Sequence, residues 1–512
     1  MVVSSWRGVL LSRAACRTRS WQEAVMPSYR IASRNIVVDG NPLPHHKLIA
    51  EASQRDRVSH KLTRSSFGKQ ARSLAGNGPV ALRRGASITR AEGADDLFEM
   101  PGYERGLKTA ITQKGVRLTQ DGKVLLKALS FQQLEQWVVE IGERPGRAIQ
   151  TWAWLYQENK WAKGAEEMQE VSKDWKERLA TIAEFGGRIQ LRETRVASDG
   201  TRKLLFEVES ASGGNGGIVE AVMIPAPSGR LTVCISSQVG CAMNCQFCFT
   251  GRMGLRGNLT TEQIVEQVVE AKRIAAAEGM GKVTNVVFMG MGEPLHNVEA
   301  VIDAVDILAS ERGLALSSNK ITVSTSGLVP QIVQFCRRSP ATLAVSLNAT
   351  TDEVRNWLMP INRKWPLGAL MQTLRDEFPR GDGRGQKQVF FEYIMLKDIN
   401  DSDEDAERLL ALTEDLPCKV NLICFNAHDG AEFFPSEMER VRAFRDIVAS
   451  AGRVCTIRES RGDDASAACG QLGSVGDMLG DGPSPQRPPR LKPPVSLRAA
   501  VEVMREQRPV KV

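Results

Sequence analysis

Apolar positions along this chain follow two kinds of pattern. Between 105 and 185 they recur at helical spacing: Leu125, Leu126, Leu129, Leu134, Val138 and Ile141 form one run before Gly142, and Ala148, Trp152, Leu155 and Tyr156 form a second after Pro145. A small helical domain is predicted there. Residues 186–229 read as a connector with a hairpin, Lys203–Glu209 and Val219–Ile224 around the turn Gly213–Gly217. From Leu231 the pattern changes. Leu231–Ser236, Val283–Met289, Lys320–Ser324, Thr342–Leu347, Val389–Met395 and Lys419–Phe425 are apolar runs of strand length, and helical stretches such as Thr261–Ala277 and Val298–Ser310 lie between them. Strands apolar on both faces and separated by helices imply parallel βαβ units. Six such units predict an α/β fold, a partial, open (β/α)6 barrel over 230–473, with its chemistry at the carboxyl ends of the strands.

The two ends of the chain read differently. Residues 1–90 hold 16 Lys and Arg against 4 Asp and Glu, with Arg7, Arg13, Arg17 and Arg19 set among Ser, Ala, Val and Leu. Such a start resembles an organellar transit peptide, chloroplast rather than mitochondrial; the alternative is a basic arm that stays attached to a cytoplasmic protein. The Pro-rich tail 474–512 reads as disordered apart from a short helix near Leu497–Arg505. The formal charge of +7 invites a nucleic-acid reading, yet residues 91–473 carry 44 basic and 52 acidic side chains. RNA affinity therefore has to come from a local patch. Arg147, Lys160, Trp161 and Lys163 could supply one by phosphate pairing and stacking, or their aromatic members could simply be core. No uncharged apolar run approaches the roughly 18 residues of a membrane-spanning helix, so no membrane role is predicted. The ten cysteines lack the dense, even spacing of a small secreted domain and suit a reducing compartment.

One cysteine group is tight. Cys241-Ala-Met-Asn-Cys245-Gln-Phe-Cys248 follows the first barrel strand. Three thiolates on one loop can wrap a [4Fe–4S] cubane and leave its fourth iron open to a small molecule. Structural zinc wants four ligands, usually as two separated cysteine pairs, and no second Cys-x-x-Cys exists here. Other strand ends carry polar groups able to bind a ribose, a carboxylate or an adenine: Gly290-Met-Gly292-Glu293-Pro294, Ser324-Thr-Ser-Gly327, Ser346-Leu347-Asn348 and Phe425-Asn426. Cys234 lies on the first strand, and Cys469 in the polar segment Arg461-Gly-Asp-Asp-Ala-Ser-Ala-Ala-Cys469-Gly-Gln, which reads as mobile.

The Cys-x3-Cys-x-aromatic-Cys signature is that of radical S-adenosylmethionine enzymes, and Gly-Met-Gly-Glu-Pro is similar to the motif with which they receive the methionine amino group. With Gly142-Glu-Arg-Pro-Gly-Arg147, Ser198-Asp-Gly-Thr201, Val219-Glu220 and the Cys469 segment, the stretch from Leu125 to Leu472 resembles the RlmN family of RNA adenosine methyltransferases. The resemblance implies a radical S-adenosylmethionine barrel whose cluster ligands are Cys241, Cys245 and Cys248. It implies contacts to S-adenosylmethionine at Gly292, Glu293, Ser324, Ser346, Leu347, Asn348 and Asn426. It makes Cys469 the methyl carrier, Cys234 the resolving cysteine and Glu220 a proton acceptor. Two S-adenosylmethionine molecules per turnover are implied: one methylates Cys469, and the other yields the radical that activates the S-methyl carbon for addition to adenine carbon 2. Cys234 then forms a disulfide with Cys469 as product leaves. Implied partners are ribosomal RNA, transfer RNA and an electron donor such as flavodoxin or ferredoxin, with the protein a monomer. Asn348 departs from the family, which often has His there, and Ala427 replaces a usual Pro. The competing readings are a Cfr-type carbon-8 methyltransferase and a non-enzymatic iron–sulfur RNA-binding protein.

Overall fold

The structure, a computed structural model, describes residues 117–209, 215–381, 387–428, 431–473 and 488–506. The basic N-terminal segment, with its expected import signal, lies outside the described residues, as do 474–487.

Near the start, β1 (Val124–Leu125) pairs with β2 (Ala183–Glu184), and between them lie α1 (Phe131–Glu140), α2 (Gly146–Tyr156) and α3 (Lys173–Ile182). Ser130 opens α1 with a capping box: its hydroxyl accepts from Gln133 N, and the Gln133 side chain accepts from Ser130 N. Leu134, Trp137 and Val138 of α1 share a buried core with Ala148, Trp152 and Leu155 of α2, as the helical spacing predicts. Trp161 is core as well, its carbonyl accepting two N–H groups of Arg273 at 3.0 and 2.8 Å. Arg147 lies over the Trp175 ring and donates to Gln150 and Ser172. Of the two readings of this basic and aromatic group, packing is the one the structure supports for Trp161. The domain docks on α4 (Thr261–Glu278) through the buried ammonium of Lys127, which pairs with Glu266; Arg273 donates to the same carboxylate at 2.7 Å.

The connector is not separate from the main domain. Its strands β3 (Ile189–Val196), β4 (Arg202–Glu209) and β5 (Asn215–Pro225) run antiparallel and extend the central sheet through β6 (Arg230–Cys234). After a short hairpin, β7 (Gln238–Cys241) with β8 (Gly254–Asn258), the alternation proceeds through β9 (Lys282–Phe288), α5 (Val298–Ala309), β10 (Ile321–Thr325), α6 (Val329–Arg338) and β11 (Thr342–Ser346). It continues with α7 (Asp352–Leu358), α8 (Leu367–Glu377), β12 (Val389–Met395), α9 (Asp403–Thr413), β13 (Cys418–Cys424), α10 (Met438–Ser450) and β14 (Val454–Arg458). The ten-stranded sheet has the order β14-β13-β12-β11-β10-β9-β6-β5-β4-β3, and its end strands do not pair. All pairings from β6 to β14 are parallel. The open α/β barrel is as expected from six apolar runs, with β14 added as a further parallel strand at the edge. The loops after β6, β9, β10, β11, β13 and β14 gather at one end, which is where a parallel sheet presents its polar strand termini.

Beyond the barrel, α11 (Arg498–Glu506) buries Val501 and Met504. Residues 488–496 read as disordered from the sequence, yet Pro489 and Leu491 lie against the cysteine loop: Asn244 Nδ2 donates to Pro489 O at 3.1 Å, and Leu491 N to Gln246 Oε1 at 3.0 Å.

Candidate active site

The three-cysteine loop is fixed by its backbone. Gly240 has φ +75°, and a Cβ there would stand 1.9 Å from the carbonyl oxygen of Gly254, so the hairpin that delivers Cys241 needs glycine. Gln246 N donates to Leu358 O at 2.9 Å, and Arg252 reaches the Asn244 side chain at 3.0 Å. Cys241, Cys245 and Cys248 line a cavity of about 150 Å³ together with Gly290, Gly292, Glu293, Ser324, Ser346, Asn348, Glu392 and Cys469. Burial raises all three thiols above the usual cysteine range. Among the described residues no three His, Cys, Asp or Glu side chains converge on a single metal ion. A cubane does not require that, because its three thiolates bind three different irons. The donor set therefore fits a cluster and not structural zinc.

Across the cavity the β9 loop supplies Glu293. Its Oε2 accepts from Ser326 N at 2.7 Å and its Oε1 from Leu295 N at 3.0 Å, while its own N–H donates to Gln238. Burial raises this carboxyl, and the Ser326 amide and hydroxyl oppose the shift. Each oxygen keeps a further acceptor site for an ammonium group. Gly292 has φ +100°, and a Cβ there would meet Gln238 at 2.5 Å. Asn348 has φ 58°, a left-handed backbone that Asn tolerates; its Oδ1 accepts from Ile394 N at 2.9 Å, which commits the oxygen and leaves the amide nitrogen beside Met359. Glu392 Oε2 is buried on the wall without a hydrogen-bond partner among the described residues, which suits a polar occupant.

Not every candidate reaches this cavity. Leu347 is buried in the core, its N–H on Glu392 O and its carbonyl on Arg355. Asn426 lines a second cavity of about 390 Å³, with Val222, Thr232, Cys234, Met289, Arg458 and Cys469. Cys469 thus faces both cavities. Its loop is well tied: Phe249 N donates to Gly470 O at 2.8 Å, Thr250 Oγ1 to Leu472 O at 2.7 Å, and Gln471 Nε2 to Asp463 Oδ1 at 2.6 Å. The first bond sets Cys469 beside Cys248. A loose segment, the sequence expectation, is therefore corrected to a held turn. Cys469 is open to solvent within the cleft, yet the protein around the opening raises its thiol, with Arg458 opposing. Cys234 is buried and pushed up to about 12, chiefly by burial and next by Cys469, with Arg458 again opposing. Both are free thiols in this structure. Glu220 is buried on β5 and lines neither cavity; it forms an ion pair with Lys203 at 3.4 Å.

Sequence reasoning missed three side chains. Arg355, fully buried, donates to Ser326 O, Ser346 O, Leu347 O and Asn362 Oδ1 and so ties together the ends of β10 and β11. Glu392 lies 3.8 Å from Arg458, which stands between the two lone cysteines and that carboxylate. A charge inside the apolar run Val-Phe-Phe-Glu-Tyr-Ile-Met was the available signal for Glu392. Lys203 was the third.

An open parallel barrel with three thiols, a bound carboxylate and polar strand ends around one cavity defines the class, a radical S-adenosylmethionine enzyme; residues 235–410 match the Radical SAM superfamily. Residues 124–185 match the ribosomal RNA large subunit methyltransferase N-terminal domain. The chain is 45% identical over 351 residues to the dual-specificity RNA methyltransferase RlmN of Pelobacter propionicus, covering 68% of this chain and 96% of that one. Against the same-named protein of Psychrobacter arcticus identity is 40% over 388 residues, with 72% and 93% covered. A radical SAM methyltransferase structure from Sphaerobacter thermophilus matches with a TM-score of 0.62 and 40% identity, over 68% of this chain and 98% of that one. The chain belongs to the RlmN family of radical S-adenosylmethionine RNA methyltransferases, and it is an enzyme.

Proposed function

We propose that this enzyme methylates carbon 2 of an adenosine in 23S-type ribosomal RNA, and in transfer RNA, through a methyl group carried on Cys469. The observation that carries the reading is that Cys469 stands on the wall of both cavities, with Cys248 on one side and Cys234 on the other. Adenine carbon 2 is electron-poor and has no nucleophilic lone pair, so an ordinary methyl-cation transfer to it is unfavourable. In this scheme Cys241, Cys245 and Cys248 hold a [4Fe–4S] cluster, which when bound supplies the electron for radical cleavage of S-adenosylmethionine. Glu293 receives the methionine ammonium; Ser324, Ser346 and Asn348 offer hydrogen bonds along the same wall. Leu347 contributes only backbone, and Asn426 acts from the second cavity, bonded to Ser460. Cys469 accepts a methyl group from one S-adenosylmethionine, and a second is consumed per turnover. After carbon–carbon bond formation the Cys234 thiolate attacks the Cys469 sulfur; the sulfur–methylene bond breaks, its electron pair stays on the methylene carbon, which takes up a proton to become the product methyl, and the resulting disulfide is returned to two thiols by an external dithiol reductant. Glu220, on the same strand face as Val222 of the second cavity, is the proton acceptor.

A flavodoxin or ferredoxin serves as electron donor to a monomeric enzyme. The arginine-rich, acid-poor segment 1–90 supports import into an organelle, a chloroplast in this reading. A fluorescent fusion of that segment retained in the cytosol contradicts the import proposal. The activity is tested with reduced, anaerobically reconstituted protein, S-adenosylmethionine and either RNA, followed by nucleoside mass spectrometry. 2-Methyladenosine is expected. 8-Methyladenosine would make the enzyme Cfr-type, and no methyladenosine in either RNA would overturn the reading.

A further inference from the structure

Lys203 is a fully buried lysine in the antiparallel extension of the barrel, outside both cavities. It pairs with Val222 across β4 and β5, while Glu220 pairs with Leu205, so the two charges meet diagonally on one sheet face. Its Nζ lies 3.4 Å from the Glu220 carboxylate and donates to Ser466 O at 3.3 Å. A buried ion pair is seldom worth more than an apolar pair of the same volume, so stability alone does not account for it. The contact with Ser466 does. Ser466 is a non-glycine residue at φ 50°, a strained conformation that persists only where the surroundings enforce it. It precedes Cys469 by two buried alanines, Ala467 and Ala468. A shift at Ser466 therefore moves the Cys469 sulfur relative to both cavities.

We propose that Lys203 is a positioning residue, whose ammonium holds the Ser466 turn and the Glu220 carboxylate in one register and so sets where the Cys469 sulfur stands. The backbone of Glu220 is itself tied to the β9 loop: Ser236 Oγ donates to Glu220 O at 2.6 Å and accepts from Met291 N at 2.8 Å. Through Lys203, the carboxylate, the cysteine turn and the methionine-binding loop are fixed to one another. The effect on turnover rests on the proposed role of Cys469; the effect on the turn does not.

The test uses full-length Lys203→Met and the pair Lys203→Met with Glu220→Met, which leaves no uncompensated buried charge if the single variant folds poorly. Hydrogen exchange is followed by mass spectrometry at 462–470 and at 241–252. Faster exchange at 462–470 in both variants, with 241–252 and bound iron unchanged, is the expected result. For Lys203→Met, kcat should fall about ten- to hundredfold, the scale of a small misplacement of a reacting atom, with KM for S-adenosylmethionine nearly constant. Wild-type exchange at 462–470 in the double variant, or a fall in kcat that only tracks lost cluster, overturns the proposal. Failure of the parent reading shows separately, as wild-type protein that gains no methyl mass on Cys469 when given S-adenosylmethionine; exchange at 462–470 still decides the role of Lys203.

Discussion

At the scale of single residues, the two lone cysteines differ in how ready they are to react. Cys234 is buried with a thiol raised to about 12, so only a small fraction is thiolate near neutrality. If Cys234 resolves a Cys469 adduct as proposed, that step should accelerate about tenfold per pH unit between roughly pH 7 and 9, because thiolate rises in that proportion well below the pKa. Single-turnover release of RNA from a preformed adduct measures this, and a pH-independent rate contradicts it. The same shift has a stability counterpart. The folded pKa lies above the unfolded one, so this thiol's contribution is intact below about pH 9 and is lost as pH rises toward 12. Cys241, Cys245, Cys248 and Glu293 stood out in the sequence by residue type and spacing, whereas Cys469 was singled out by the family resemblance; the fold sets all five on one cavity. Lys203 and Arg355 were not, since each acts through backbone carbonyls of distant segments, which leave no trace in the chain around them.

Elements were legible in proportion to their burial. The parallel strands, apolar on both faces, appear at the predicted positions within a residue or two. The strands β3 and β14 went unread because both sit at sheet edges with exposed polar residues, as in Ile-Gln-Leu-Arg-Glu-Thr-Arg-Val. The C-terminal strap was invisible for a different reason. It docks by Pro489 O, Leu491 N and Leu491 O, the last accepting from Trp357 at 3.2 Å, and backbone groups carry no sequence pattern. Because Asn244 and Gln246 flank Cys245, removing residues 488–512 should loosen the cysteine loop. Hydrogen exchange at 241–252 should rise in the truncated protein, and iron should be lost to a chelator severalfold faster; unchanged exchange and iron loss would show the strap to be passive.

Over the whole molecule, the helical domain and the barrel are joined by a buried charge cluster, and Cys234 and Cys469 by the sheet. Lys127→Met should leave Glu266 with Arg273 alone and cost about 3–5 kcal/mol, the usual loss when one partner of a buried pair is removed. Denaturant unfolding measures it, and a change below about 1 kcal/mol would show that Arg273 suffices. Cys234 lies on β6 and Cys469 beyond β14, at opposite ends of the parallel sheet, and only the curvature of the open barrel brings them to one cavity. No local pattern could state that; the family resemblance implied that the two would meet, and in the fold both line the same cavity as free thiols. The most direct test of the two-cysteine account is a denaturing gel of enzyme incubated with labelled RNA and S-adenosylmethionine. Cys234→Ala should trap a nuclease-sensitive protein–RNA band, because addition occurs and no thiol resolves it, while Cys469→Ala and the double variant should show none. If Cys234→Ala traps no RNA, or if Cys469→Ala still methylates it, the methyl group does not travel through Cys469.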